Sequence, residues 1–274
     1  MKFRITAFGD EIADSLDVQL DTLESCGLNR IDVRKVDGIP VADLTIEQAK
    51  AAMEKIRARG FTVTCFGSPC GKVSITADFE AHLAVFQHCL ALCKIFETTR
   101  LRMFSFLIPA GENAYDYQDE VLRRLHTMVD LAKAEGIVLY HENEKGIFGD
   151  IADRCKLLGE AFGDELPQVF DPSNFIQCGE KIDEAYEKLR PYICYLHVKD
   201  ALYEKEPEDG KGQVRPAGQG AANFMELLKN LQKDGRTEYI SIEHHLRLPC
   251  WGETGVERFK CAFAAVDALN SHLD

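Results

Sequence analysis

Residues 138–143, with the sequence VLYHEN, decide the fold that we predict for this chain. Their apolar start predicts a short buried strand, which leads directly into three side chains that can bind a metal or move a proton: His141, Glu142 and Asn143. A helix is predicted to follow within a few residues, with Asp150 as its N-cap. The order of strand, reactive side chains and helix is typical of the working face of an α/β barrel.

Seven further strands are predicted, four before this one and three after it, and the three later ones also end in reactive side chains. The predicted strands cover residues 4–8, 30–33, 61–66, 101–106, 138–140, 168–171, 192–198 and 239–242. The predicted helices begin at residues 15, 45, 78, 115, 150, 183, 223 and 256. Eight strand-helix units in about 250 residues are the expected size of a closed (β/α)8 barrel. We therefore predict an α/β fold in which residues 1–274 form a single TIM barrel domain, with the active site at the C-terminal ends of the strands.

Composition excludes several classes of partner. The 274 residues are 46% hydrophobic, enough for a sizeable core. No run approaches the roughly 18 apolar residues that a membrane span requires, and the start of the chain lacks the apolar core of a signal peptide. We therefore expect a cytoplasmic protein with no membrane partner. The net charge of −13 would repel a phosphate backbone, which argues against nucleic acid.

The ten cysteines predict neither disulfides nor a structural zinc site. They include no Cys-x-x-Cys pair and do not cluster in the way that zinc ligands do. In a reducing compartment, a free cysteine behaves mostly as a small buried apolar residue. Cys89 and Cys93 lie four residues apart on a predicted helix, which fits a buried helix face.

Four metal-ligating side chains come directly after, or at the end of, the last four predicted strands: Glu142, Asp171, His197 and Glu243. In a closed barrel these side chains converge on one side of the top face. Any one of them alone also fits a solvated loop residue or a helix cap, and the combination is what favours a metal site. Three carboxylates and one imidazole suit one divalent ion, with Mn²⁺ preferred and Mg²⁺, Co²⁺ or Zn²⁺ as alternatives.

Several short motifs resemble the xylose-isomerase-like TIM barrel family. They are HEN at 141–143, FDPSNF at 170–175, LHVKD at 196–200, SIE at 241–243, GDE at 9–11 and GSP at 67–69. The family contains sugar and sugar-phosphate isomerases and epimerases, inosose and dehydroshikimate dehydratases, and an AP-endonuclease branch. The resemblance implies that the same four residues hold the metal. It also implies that Glu142 and Glu243 form the acid-base pair of an epimerase that works through an enediolate, and that the protein is a homodimer or homotetramer.

The chain departs from the ketose epimerases of that family at two positions. Asn174 stands where these enzymes usually carry a histidine, and an asparagine side chain cannot relay a proton. Tyr203 stands where they place an arginine. Either Arg215 in the following loop supplies that positive charge, or Arg215 is a solvated loop residue and the charge is absent. Lys199 either neutralises a carboxylate or enolate oxygen, or pairs with Asp200 or another neighbouring acid.

The sequence leaves more than one reaction open. The preferred function is a metal-dependent isomerase or epimerase of a ketose, sugar phosphate or related keto sugar. The alternative is a lyase, either a dehydratase or a decarboxylase, of a keto sugar acid or inosose. A sugar-binding barrel without catalysis conflicts with the intact ligand set, and a DNA-repair hydrolase conflicts with the acidic charge. The predicted contacts to a carbohydrate substrate are Glu11, Arg34, Lys72, Asn174, Lys199 and Arg215.

Overall fold

Eight parallel strands form a nearly closed barrel in the computed structural model, which describes residues 2–203 and 214–273. The barrel strands are β1 (Arg4–Ala7), β2 (Arg30–Val33), β3 (Thr62–Gly67), β4 (Arg100–Met103), β5 (Val138–Glu142), β6 (Gln168–Phe170), β7 (Ile193–Val198) and β8 (Tyr239–Ile242). Each strand pairs in parallel with the next from β2 to β8, and β8 pairs with β1. A single bridge between Phe8 and Asp32 links β1 to β2. The predicted (β/α)8 architecture is confirmed.

Helices surround the barrel and connect its strands. They are α1 (Leu16–Ser25), α2 (Ile46–Ala58), α3 (Phe79–Ile95), α4 (Gln118–Ala134), α5 (Ala152–Phe162), α6 (Pro172–Gln177), α7 (Ile182–Leu189), α8 (Phe224–Asp234) and α9 (Gly255–Ser271). Local chemistry explains where several of them begin. The Thr45 side chain closes a capping box with Gln48 at the start of α2, and Thr254 does the same with Glu257 at the start of α9. The apolar faces of the helices pack against the outside of the strands in one continuous core.

Three details differ from the sequence prediction. Strand β4 ends at Met103, three residues early, and Phe106 has a left-handed backbone with φ 66°. Asp150 does not cap α5, because Ile151 occupies that position, and the Asp150 carboxylate pairs with Arg154 instead. The short helix α6 was not predicted. Its six residues are too few to show a helical period, and it begins directly at the end of β6.

The cysteines form no disulfides, as the sequence predicts. All ten cysteines are free thiols, and Cys89 and Cys93 are buried on α3. Within residues 2–203 and 214–273, none of the helices is both long and apolar enough to cross a membrane.

The loop after β3 approaches the segment after β4 closely at Gly71. Gly71 has φ 78°, and a Cβ built there would lie 1.9 Å from the carbonyl oxygen of Phe104. The backbone N–H of Phe106 donates to the Gly71 carbonyl at 2.7 Å. Only glycine allows this approach, which holds the loop from residue 68 to residue 72 against the mouth of the barrel.

Replacing Gly71 with alanine is expected to lower the free energy of unfolding by about 3 kcal/mol, from a strained backbone plus a steric clash. Denaturant unfolding followed by circular dichroism measures the loss. The matched control is Gly136→Ala, because Gly136 has φ 72° but a Cβ there would meet nothing within 4 Å. The control should lose only about 1 kcal/mol. Equal losses in the two variants would contradict the role of the close approach.

Candidate active site

The four predicted metal ligands meet at the C-terminal ends of β5 to β8. Glu142 is the last residue of β5, Asp171 and Glu243 directly follow β6 and β8, and His197 lies one residue before the end of β7. One ligand atom from each residue lies within 4.8 Å of the other three, and all four side chains are buried. Parallel strands in a barrel end at the same edge, which is why residues so far apart in the chain come together.

The free atoms of this cluster fit a bound cation. Glu142 Oε2, Asp171 Oδ2, Glu243 Oε2 and His197 Nδ1 are buried and make no hydrogen bond of normal geometry, although charged groups lie beside them. Buried polar atoms without well-formed hydrogen bonds are costly, so a cluster of four such atoms fits a site that binds a cation. Three carboxylate oxygens and one imidazole nitrogen are donors that Mn²⁺, Mg²⁺, Co²⁺ and Zn²⁺ all accept.

The electrostatics of the cluster favour positive charge among the carboxylates. Burial acts to lower the pKa of His197, but the charges of Glu142 and Glu243 outweigh it and raise this pKa to about 10. Burial acts to raise the pKa of Glu142, yet His197 and Arg102 outweigh burial and lower this pKa to about 2. Burial, opposed by Lys199, raises the pKa of Asp171 to about 7. A divalent cation would supply the same charge and would displace the proton of His197.

Three basic side chains flank the cluster. Lys199 Nζ lies 2.8 Å from Asp171 Oδ2, so the lysine pairs with this neighbouring acid and not with Asp200. Arg102 Nε lies 3.1 Å from Glu142 Oε2, and Arg34 Nη1 lies 2.6 Å from Glu243 Oε1. Each of the three carboxylates in the cluster therefore has its own basic partner.

Two asparagines hold the ends of β5 and β6 in register. The side chain of Asn143 donates to the Asp171 carbonyl at 2.9 Å and accepts from the Asp171 backbone N–H at 2.8 Å. The side chain of Asn174 donates to the Asn143 carbonyl at 2.9 Å and to Glu142 Oε1 at 3.3 Å. Asn174, which stands in place of the histidine expected from the resemblance, therefore orients Glu142.

Asp200 organises the segment that returns from the loop after β7. Its buried carboxylate accepts hydrogen bonds from the backbone N–H groups of Ala201, Gly218, Gly220 and Ala222. A Cβ at Gly220 would lie 2.2 Å from Asp200 Oδ1, which explains the glycine there. Gly210 and Gly212 of the same loop lie outside the described residues.

A cavity of about 210 Å³ opens beside Glu142 and Glu243. The basic residues on its wall include the predicted substrate contacts Arg34 and Lys72, and also Arg102. Lys72 Nζ pairs with Glu144 at 2.7 Å and lies 4.9 Å from the ring centre of Phe104. The cavity is large enough for part of a small polar substrate and borders both predicted acid-base residues.

The other predicted substrate contacts occupy different positions around the mouth of the barrel. Glu11 is buried and bonds to Arg34, with its Oε1 atom 2.7 Å from Arg34 Nη2. Asn174 and Lys199 contact the cluster itself. Arg215 lies on a short strand whose backbone pairs with Asp200, next to Lys199.

Two residues of the site were not identified from the sequence. Arg102 lies within β4, where the strand pattern gives an arginine no special role. His245 lines the cavity, and its Nε2 atom is 3.3 Å from Glu243 Oε1. In the sequence, only its position two residues after Glu243 indicated that His245 could lie at the site. The neighbouring His244 has almost the same position, so the sequence alone did not show which histidine has a role.

Comparison with known proteins places this fold and cluster in a family. Residues 20–260 match the family model described as xylose isomerase-like TIM barrel. Among curated proteins, 3-dehydroshikimate dehydratase from Bacillus anthracis is 22% identical over 172 residues, a match that spans 58% of this chain and 61% of the dehydratase.

Solved structures of similar fold include a zinc-bound protein and an epimerase. The IolI protein with a binding zinc atom has a TM-score of 0.76 at 18% identity, covering 99% of this chain and 98% of that chain. The 3-keto-D-glucoside 4-epimerase of Escherichia coli has a TM-score of 0.73 at 13% identity, covering 98% of this chain and 100% of that chain. At these identities the likeness shows the fold alone.

A divalent metal is expected to stabilise the protein. At about 100 times its Kd, a metal that binds only the folded state adds about 2.7 kcal/mol to the free energy of unfolding. We expect Mn²⁺ to give this increase and EDTA to remove it, as measured by denaturant unfolding with Mg²⁺, Co²⁺ and Zn²⁺ tested in parallel.

Two buried aspartates provide the control for this measurement. Asp171→Asn should abolish the metal-dependent increase, because it removes a charged ligand. Asp200→Asn should lower the stability without metal, since Asp200 accepts four backbone hydrogen bonds, but should keep the metal-dependent increase. A full metal effect in Asp171→Asn would refute the predicted ligand set.

Proposed function

This chain belongs to the xylose isomerase-like TIM barrel family, and we propose that it is a divalent-metal-dependent isomerase or epimerase of a ketose, sugar phosphate or related keto sugar. Members of this family include epimerases and a dehydratase. The observation that carries the proposal is the buried set of Glu142, Asp171, His197 and Glu243, of which Glu142 and Glu243 line a cavity of about 210 Å³.

The proposed reaction moves a proton at the carbon next to a carbonyl group. A bound divalent cation supplies Lewis-acid polarisation of the carbonyl and hydroxyl oxygens. Glu142 and Glu243 both line the cavity and approach it from strands β5 and β8, so they face a substrate from different sides. One carboxylate removes the proton to give an enediolate, and the other returns a proton to the opposite face.

The remaining polar groups are proposed to bind and orient the substrate. Lys72 and Arg34 lie on the cavity wall, where they can contact hydroxyl or anionic groups. Asn174 keeps Glu142 oriented, and Lys199 stabilises negative charge on Asp171 and on a developing enolate oxygen. We propose that Glu11 and Arg215 also contact the substrate.

Lys199 also favours a second candidate, a lyase. Its ammonium group is buried inside the cluster, 2.8 Å from Asp171 and 3.6 Å from Glu243. A buried cation beside an enolate would stabilise the same intermediate when a neighbouring hydroxyl or carboxyl group leaves. The 22% identity to a dehydratase is consistent with this alternative. A dehydratase or decarboxylase of a keto sugar acid or inosose would use the same residues.

Replacing either acid-base residue is expected to remove turnover. Glu142→Gln and Glu243→Gln keep the size of the side chain but cannot accept the proton, so kcat should fall by about 10²–10⁴-fold. Steady-state kinetics on a panel of ketoses, inososes and keto sugar acids, at saturating metal, measures the effect. If Glu243→Gln binds metal and retains turnover on the wild-type substrates, the acid-base assignment is wrong.

Product analysis separates the two candidate reactions. For an isomerase or epimerase, the substrate carbon should take up deuterium from D₂O while the product keeps the mass of the unlabelled substrate apart from that label. For a lyase, the product should lose the mass of water or CO₂. Mass spectrometry of the same reaction mixtures measures both, and loss of water or CO₂ without any isomer would favour the lyase.

A further inference from the structure

Arg34 contacts three carboxylates that come from two different strand ends. It follows β2, whereas Asp10 and Glu11 follow β1 and Glu243 follows β8. Its Nε atom lies 2.9 Å from Asp10 Oδ2, its Nη2 atom 2.7 Å from Glu11 Oε1, and its Nη1 atom 2.6 Å from Glu243 Oε1. Every nitrogen of the guanidinium group therefore has a carboxylate partner.

His245 holds the same oxygen of Glu243 from another direction. Its Nε2 atom lies 3.3 Å from Glu243 Oε1 and 3.3 Å from Glu11 Oε1. The His245 backbone is left-handed, with φ 49°, and its N–H donates to Glu11 Oε2 at 3.1 Å. A residue other than glycine adopts this backbone only when its surroundings enforce it, and here Glu11 provides that contact.

The two oxygens of Glu243 therefore have different surroundings. Oε1 is held by Arg34 and His245, whereas Oε2 lies 3.1 Å from His197 Nδ1 and 3.6 Å from Lys199 Nζ. Oε2 makes no hydrogen bond of normal geometry, and it is the oxygen that faces the metal cluster. A partial rotation of the carboxylate about its Cγ–Cδ bond would break both contacts to Oε1 and would turn Oε2 away from the cluster.

The aromatic ring of Phe8 and the three carboxylates together fix the position of Arg34. Its guanidinium lies 4.8 Å from the ring centre of Phe8, and the same ring packs edge-on against His197 at 5.2 Å. A lysine has a single nitrogen and cannot reach three carboxylates in the planar arrangement that the guanidinium group allows. Because the carboxylates of Asp10, Glu11 and Glu243 already surround the guanidinium group, an anionic substrate group that approached Arg34 would meet three negative charges.

We propose that Arg34 is a positioning residue that, together with Glu11, fixes the rotation of Glu243 so that only Oε2 faces the metal cluster. This proposal rests on the proposed function and refines it, because it moves Arg34 and Glu11 from substrate recognition to the support of a metal ligand. Glu11 bonds to Arg34 and His245, the two residues that hold Glu243 Oε1, so its positioning effect on Glu243 acts through them.

The test compares metal affinity with steady-state kinetics in Glu11→Gln, Arg34→Lys and Arg34→Met. Removing the partner that orients a metal ligand typically lowers metal affinity or activity by about 10–100-fold. We expect this loss of Mn²⁺ affinity in all three variants, measured by calorimetry with the metal alone. We also expect kcat to fall at saturating metal while KM changes by less than about threefold.

Lys72→Met is the matched control. Lys72 also lies on the cavity wall and pairs with an acid, but that acid, Glu144, does not belong to the cluster. This variant should keep wild-type Mn²⁺ affinity. Circular dichroism and denaturant unfolding without metal identify any variant that fails to fold. If the Arg34 variants do not fold, the metal affinity of the isosteric Glu11→Gln variant decides the result.

The outcomes separate this proposal from the proposed function. Wild-type metal affinity in Glu11→Gln and Arg34→Met, combined with a raised KM and unchanged kcat, would overturn the positioning role and return both residues to substrate recognition. If the wild-type protein turns over none of the tested substrates, the proposed function fails. The metal affinities still decide the positioning role in that case, because they are measured without substrate.

Discussion

Repulsion among buried carboxylates is the constraint on which the mouth of this barrel depends. Two like charges 4 Å apart repel by about 4 kcal/mol at an effective dielectric constant near 20, and three carboxylates of the cluster lie within 4.8 Å of His197 and of each other. The fold tolerates them because a basic group lies beside each one, namely Arg102, Lys199 and Arg34. A divalent cation in the centre would relieve the remaining repulsion, so stability and metal binding depend on the same charges.

The scaffold places these charges through its strand ends and then orients each oxygen through shorter contacts. Asn143 and Asn174 connect the ends of β5 and β6, and Asp171 serves both as a cluster residue and as the N-cap of α6. On the other side of the mouth, Arg34 and His245 hold one oxygen of Glu243. Orientation matters because a carboxylate binds a metal and accepts a proton along specific directions.

This arrangement would serve either of the two proposed reactions. Proton abstraction next to a carbonyl group begins both epimerisation and the elimination of water or CO₂, and the same cluster would stabilise the enediolate or enolate in each case. Which bond breaks next depends on the group that the substrate places beside Lys199 and Glu142. One fold can host different chemistries, so the fold of this chain alone does not select between the two proposed reactions.

The sequence by itself determined the eight strands, most of the helices and the four residues of the cluster. Strand alternation, helix caps and the position of a residue at a strand end are local properties, and in a closed parallel barrel they are sufficient to predict convergence. Only the tertiary structure decided how the charges pair. Arg34 and Glu243 lie 209 positions apart, Arg102 gave no local signal inside β4, and Asp200 bonds to backbone N–H groups about 20 residues away and not to the adjacent Lys199. These pairings depend on which strand ends become neighbours when the barrel closes. A local sequence pattern does not specify which distant side chains will lie within bonding distance of each other.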